Sequence, residues 1–579
     1  MLKSRLLLSL APVLALCACA TAPPGPLTAT APPPPPAKSA DFGAGDSAYG
    51  LFLAGEAAVN NGNGDTAAAY FDQAAGLDPG EPAALLDTHA FSALLLAGDI
   101  TRAAASAPTD PSVDPVIRRL GALTQGVEAL ASGDPKRAYA KLTGPDVGAP
   151  YNGVVQLLAP FAAAASGDFR AATVHAVIDG EPIAQFYANL DQGRIYEHFH
   201  HYDEAETAFR ALITGGDPGG IASLSLGALL ERRGRSSEAA AIYATAMAHN
   251  PNDPALGAAR ARALAGKTAP PLPSIKQSAA EALIAPATVL IIQKQYEVAL
   301  AYLRLALRLD PGRDEGWVLV GDILTNIGDE DGARVAYMTP KPGSPNYLMA
   351  RGKLAWSYQD AGDKEKALAI AQTAHATAPS DQDAATTLAD LFRADERYDD
   401  SVKVLDPIIQ GQGPRADWRL LYMRAVDYQE SDHWTDAERD LSRALAENPE
   451  EPELLNFLGY AWIDRGENLP RALAMVKKAV SLNPQSGAMV DSLGWAYFRL
   501  GDYKSAVEQL EAAVVLEAGD AEINDHLGDA YWRVGRRNEA QFQWRRVLTL
   551  EPTPKLKTSV EAKLKSGLGA PASPNVAGS

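Results

Sequence analysis

The segments LGYAW (458–462), LGWAY (493–497) and LGDAY (527–531) repeat one another at nearly equal steps. Gly494 and Gly528 lie 34 residues apart, and so do Ala506 and Ala540. A fixed period of this length marks stacked supersecondary units. Each unit buries its apolar face only against its neighbours, so the series forms one continuous core. The expected fold is an all-α solenoid, and function is expected on its surface.

The period carries internal landmarks. After Gly528 come Ala540, Trp544, Val547 and Pro552, at steps of 12, 4, 3 and 5. Gly227, Ala239, Tyr243, Ala246 and Pro251 fit the same frame, as do Gly55, Ala67, Phe71, Ala74 and Pro79. Ala425, Ala437, Leu441, Ala444 and Pro449 fit it with alanine in the glycine's place. Two short amphipathic helices joined by a tight turn explain the pattern. Small residues allow close approach, the aromatic fills the gap, and proline cannot continue the helix. The turns read Gly328-Asp329, Gly362-Asp363, Gly501-Asp502 and Gly535-Arg536, with glycine as the expected C-cap.

This pattern resembles the tetratricopeptide repeat, W-x2-LG-x2-Y…A-x3-F…P. Trp317 to Gly321, with Leu324, Ala333 and Tyr337, is a close match. The resemblance covers about residues 47–554 and implies a right-handed superhelix of roughly ten to fourteen repeats. It is weakest over 81–180, where Gly98-Asp99, Gly133-Asp134 and Gly167-Asp168 mark turns but later positions blur. Residues 266–275, GKTAPPLPSI, interrupt the series. Adjacent prolines cannot sit inside a helix, so this stretch reads as a hinge between an N-terminal array (47–265) and a C-terminal array (276–554). Residues 555–566 read as a capping helix within a final 555–579 segment that ends in a disordered tail.

The N-terminus reads as an address. Lys3 and Arg5 precede an apolar run from Leu6 to Leu16, which is signal-peptide length and too short to span a bilayer. Leu16-Cys17-Ala18-Cys19 resembles a bacterial lipobox. That resemblance implies a lipoprotein signal peptide (1–18) and lipidation at Cys19, with Ala20 matching the pattern sorted to the outer membrane. Residues 19–46 read as a Pro/Ala-rich tether, with Pro32 to Pro36 in one run favouring extended polyproline II.

Composition narrows the function. The chain has 579 residues, too many for one core. A formal net charge of −19 argues against nucleic acid as a partner. Cys17 and Cys19 are the only cysteines, so the repeat body can hold neither a disulfide nor a cysteine nucleophile. P-loop, GxSxG, HExxH and dinucleotide-loop motifs are missing from the sequence. The expectation is a non-enzyme without cofactor or metal. The sharpest metal candidate is His198, His200 and His201, which fall at a turn between two helices and read as solvated surface.

The resemblance also implies a binding face, since the first helix of each unit lines the concave side of such arrays. Its exposed sites would be Asn456, Tyr460, Ile463 and Asp464; Asp491, Trp495, Phe498 and Arg499; and Asp525, Asp529, Trp532 and Arg533. Aromatics at exposed sites suit a partner hot spot. The acidic residues, with Asp322 and Asp390, do not match the Lys/Asn/Arg clamp that some repeats of this family use for C-terminal carboxylates. The expected ligand is a protein or an extended peptide with apolar and basic character.

Together these readings point to an interaction scaffold of the bacterial envelope, held by Cys19 and facing the periplasm. A lipobox before a long repeat array resembles the lipoproteins that adapt carboxy-terminal-processing proteases to their substrates. Other readings are an assembly factor for secretion or polysaccharide export, a cytoplasmic repeat protein, and a metal-binding protein.

Overall fold

The computed structural model describes residues 48–60, 64–77, 83–178, 180–251 and 253–569. The signal peptide, Cys19, the tether and the tail beyond Gly569 lie outside the described residues. Among those described there are 30 α-helices, two 3-10 turns and no strand. The helices fall into two compact units, the first running to Gly362 and the second from Asp363.

The glycine–aromatic landmark has a direct steric cause. An ideal Cβ built on Gly528 would lie 2.6 Å from the Trp544 ring. The same conflict pairs Gly55 with Phe71, Gly193 with Phe209, Gly227 with Tyr243 and Gly321 with Tyr337. All five large side chains are buried. In these five repeats the first helix meets the second backbone to ring, which only glycine or a very small residue allows.

The turns follow the expected chemistry. Gly501 closes one helix at φ +82, in the left-handed region, and Asp502 opens the next by accepting from Ser505 N at 3.2 Å. Gly328 and Asp329 do the same. This Gly-Asp pair ends one helix and caps the next within two residues. The blurred stretch also has a structural meaning. Its second helices shrink to Ile100–Ala105, Pro135–Leu142 and Phe169–Ala172.

The proline segment departs from the expectation of a hinge between two arrays. It lies inside the first unit, and the division falls after Gly362. Arg232 Nη1 donates to Pro270 O at 2.9 Å while its other nitrogens hold Glu197. The segment leads into a helical hairpin, Ile275–Ile292 and Tyr296–Leu309, that turns back on the preceding repeats. Its first helix packs on Asn152–Ala165 and Pro182–His198, and its second on Ala83–Ala97 and Pro115–Ser132. All four are first helices of their repeats. Arg308 grips Glu128 through two bonds of 2.7 and 2.9 Å. Arg304 and Lys276 donate to Leu96 O and Ala131 O at two helix C-termini, where free carbonyls and the helix dipole favour cations. The prolines thus give the chain room to reverse.

Helix Ile275–Ile292 is long and apolar enough to cross a bilayer. Its apolar length is used for packing here, with Ala279, Ala280, Leu283, Ile284 and Ala287 buried.

Candidate functional site

In the second unit the first helices are Gln382–Ala394, Trp418–Glu430, Pro452–Arg465, Gly487–Arg499 and Ala521–Arg533. Among the described residues their extensive contacts run to helices one or two places away in sequence. No hairpin crosses them as one crosses the first unit, which makes this face the candidate site.

The expectation that its frame positions are exposed fails for several. Ile463, Asp491, Asp525 and Asp529 are buried. The three carboxylates are buried because neighbouring elements bring cations to them. His526 Nδ1 lies 2.9 and 3.0 Å from the two Asp491 oxygens. Lys563, from the capping helix Pro554–Ser566, binds both Asp525 and Asp529 at 2.7 to 2.8 Å. Trp544 Nε1 donates to Asp529 Oδ1 at 3.0 Å. These aspartates are internal ties between repeats and cap, not open contacts for a basic ligand.

Their electrostatics follow from burial and pairing. Burial disfavours the His526 imidazolium, but the charge and hydrogen bond of Asp491 outweigh it and bring the group to about 9. Burial, with Asp525 beside it, raises Asp529 to about 6 despite Lys563.

The aromatics divide. Trp495 is stacked between His526, 4.1 Å between ring centroids, and Phe498 at 4.7 Å. Trp532 packs on Trp544 at 5.3 Å, under the Arg537 guanidinium at 3.8 Å. Trp495 thus serves packing between repeats, and Trp532 packing between the two helices of the last repeat. Arg499 donates to Asp464 O and Arg533 to Gly569 O, so these arginines tie down backbone. Asn456, Tyr460, Trp495 and Phe498 stay half-buried, and Asp464 is exposed. Burial, with the Asp491 charge, pushes the Tyr460 phenol upward, so it stays neutral.

Among the described residues, several shielded polar atoms on these first helices lack a partner. They include Gln429 Oε1, Asn456 Oδ1 and Trp495 Nε1, on three successive first helices, and Arg533 Nε on the next. Such a shielded polar atom costs roughly 1–3 kcal/mol until it finds a partner. Tyr422, in edge contact with Phe457 at 5.2 Å, completes the half-buried aromatic set. Tyr422 and Gln429 escaped the sequence reading. They stand three before and four after Ala425, so extending the repeat frame one unit upstream finds them.

The three histidines go separate ways. His200 occupies a left-handed turn position at φ +63 and its Nδ1 meets Tyr202 Oη at 2.8 Å. His201 stacks on Phe169 and its Nδ1 meets Glu204 at 3.1 Å. Burial lowers His198. Among the described residues no group of three His, Cys, Asp or Glu side chains converges as a metal site would require.

The tetratricopeptide repeat family model matches residues 190–255, 353–416, 422–487, 463–523 and 492–544. A TPR repeat-containing protein of Pseudomonas aeruginosa is 34% identical over 98 residues, covering 17% of each chain. The chain thus spans about a sixth of that relative's length. Among solved structures, a chain of the APC/C hetero-tetramer Cut9–Hcn1 is similar over 90% of this chain and 96% of its own, at 16% identity and TM-score 0.37. A tetratricopeptide repeat protein from Parabacteroides merdae covers 44% of this chain and 97% of its own, at 15% identity and TM-score 0.37. A thermophilic TPR protein of Thermus thermophilus covers 31% and 96%, at 24% identity and TM-score 0.28. The family model thus matches segments in both units, residues 190–255 in the first and most of 353–544 in the second, and the Gly193–Phe209, Gly227–Tyr243 and Gly528–Trp544 packing lies within them.

Proposed function

We propose that the protein is a non-enzymatic scaffold that binds protein segments on the first-helix face of its second unit. One observation carries the reading. In the first unit the chain's own hairpin covers four successive first helices, from Ala83–Ala97 to Pro182–His198, whereas among the described residues no such hairpin packs across those of the second. The half-buried Tyr422, Asn456, Tyr460 and Phe498 suit an extended segment. Its apolar side chains would meet the rings. Because the aspartates are already paired, the ligand need not be basic.

The setting is the envelope, with Cys19 lipidated at the outer membrane and the repeats in the periplasm. Two features support it, the charged and apolar leader and the cysteine after Leu16-Cys17-Ala18. On the adaptor resemblance, the partners are a carboxy-terminal-processing protease and its substrates.

Crosslinking and co-purification test the face. Tyr422→Ala with Tyr460→Ala should lose partners while helicity stays constant. Full retention of every partner by this variant would move the site elsewhere. Trp532 is a poor probe, because it also packs on Trp544. For the anchor, Cys19→Ser should abolish membrane retention and fatty-acid labelling. Unchanged labelling would defeat it.

A further inference from the structure

The last repeat and its cap differ in charge from the rest of the chain. Between Trp532 and Gly569 stand nine lysines and arginines against Glu539, Glu551 and Glu561, an excess of six positive charges on a chain of net −19. Part of this charge is used internally. Arg536 pairs with Glu511 and Glu539, and Lys563 with Asp525 and Asp529. Arg545, Lys555, Lys557 and Lys565 are exposed, and among the described residues no carboxylate lies within ion-pair distance of them.

Helix Arg537–Val547 buries Ala540, Trp544 and Val547 along one side. Phe542 lies on the opposite side and is 61% exposed. Arg545 and Arg546 follow it by three and four residues, which places them beside it one turn on. Arg545 bonds only the neutral Gln541, at 3.1 Å, and Arg546 a backbone carbonyl, Ala518 O, at 2.9 Å. The result is a bare phenyl ring next to unneutralised guanidinium groups on an outward-facing helix.

We propose that this terminal face docks on a membrane surface rich in anionic lipid headgroups, by a contact separate from the Cys19 anchor. Charge complementarity supplies the attraction. At physiological salt the screening length is about 8 Å, so the local excess governs contact despite the chain's acidic total. The exposed ring decides between kinds of acidic partner. A bilayer interface accepts an aromatic ring below the phosphates while arginines and lysines stay at phosphate level. An acidic peptide would satisfy the cations and leave Phe542 in water.

The test uses the chain from Ala20 onward, which keeps every described helix and lacks both the leader and the acylatable cysteine. Co-sedimentation is measured with vesicles of phosphatidylglycerol mixed with phosphatidylcholine, and with phosphatidylcholine alone. Binding is expected to the mixed vesicles only and to weaken with salt. Arg545→Glu with Lys557→Glu should reduce it about tenfold or more, as expected for removing two surface cations, and Phe542→Ala should reduce it several-fold. All three positions are exposed, so circular dichroism should be unchanged. Equal binding to both vesicle types, no binding to either, or indifference to both variants would overturn the proposal. Capture of soluble poly-glutamate, unaffected by Phe542→Ala, would also overturn it in favour of an acidic protein partner.

Discussion

In the first unit, helices 275–309 lie across the first helices of earlier repeats and fix themselves through Arg308–Glu128, Arg304–Leu96 O and Arg194–Glu281. Among the described residues of the second unit, the extensive contacts of the corresponding helices are with near neighbours in sequence. The repeat chemistry is shared, down to glycine against an aromatic ring. What differs is whether the chain returns. A solenoid buries its core by stacking and leaves its inner face optional. The first unit uses part of that face to bind itself, and among the described residues the second leaves it uncovered.

The largest expected effect comes from breaking the self-contact. Arg194 Nη2 donates to Glu281 at 2.9 Å, and its Nη1 lies 3.3 Å from Asp191. Both carboxylates are well shielded, and Asp191 is already raised to about 8 by burial. Arg194→Ala would leave Asp191 without its partner and Glu281 with only Arg313, 3.6 Å away, so the cost should fall near the low end of the roughly 3–5 kcal/mol typical of a broken buried pair. Hydrogen exchange should speed up over 275–309 and over the four helices beneath, with the second unit unmoved. Protease cleavage within 266–274 should rise as well. Uniform exchange across both units would show that the hairpin is not a separable occupant of its face.

A smaller effect separates the units by pH. His526 sits at about 9 in the folded chain against roughly 6.5 when unfolded. The folded state therefore holds the proton more tightly. The stabilisation is fully present below pH 6.5 and lost as pH rises through 9, at most about 3 kcal/mol. Asp191 in the first unit has its folded value raised as well, to about 8. Its folded carboxyl prefers the proton, so that unit weakens between about pH 4 and 8 and then levels off. From pH 8 to 9 the second unit should keep losing stability while the first does not. Denaturant unfolding followed by tryptophan fluorescence reads mainly the second unit, which holds six of the eight tryptophans. His526→Gln should flatten that alkaline slope.

These two predictions also show what the sequence could reveal. The repeat was legible because Gly528, Ala540 and Trp544 are constrained by one local contact, which other repeats copy with a ring or with Leu510 or Val476 in its place. The turns were legible because Gly501 and Asp502 act within two residues. The docked hairpin was not legible, since Glu128 and Arg308 are 180 residues apart and each alone reads as a solvated charge. The aspartates failed for a related reason. Position in the repeat frame assigned Asp491, Asp525 and Asp529 to a face, but their burial depends on His526 and Lys563, which come from the next repeat and the cap. Periodicity reports what each unit shares and is silent on what one unit lends to another.

A binding change of intermediate size sharpens the functional half of the comparison. Hot-spot aromatics typically contribute about 2 kcal/mol or more each. Tyr422→Ala or Tyr460→Ala alone should therefore weaken a captured partner by roughly thirtyfold. Arg308→Ala, which loosens the first unit's hairpin, should leave that affinity alone. Surface plasmon resonance on the immobilised full chain would measure both. Equal losses would mean that the two units share one binding surface.

The smallest effect concerns strain in the turns. Most repeat turns use glycine at the left-handed position, but Glu396 holds it at φ +58 and Asp432 at φ +61 in the second unit, as His200 and Lys294 do in the first. A side chain there costs about 1–2 kcal/mol. Glycine removes that cost but gains freedom in the unfolded chain, which returns part of the benefit. Glu396→Gly should therefore stabilise the second unit by less than about 1 kcal/mol. Asp432→Gly should stabilise it by less still, because aspartate tolerates this region better than glutamate. The reverse change, Gly501→Glu, places a side chain at φ +82 and should cost about 1 kcal/mol or more. Denaturant midpoints would rank the three variants. A destabilising Glu396→Gly would mean that the Glu396 side chain makes a contact worth more than the strain it bears.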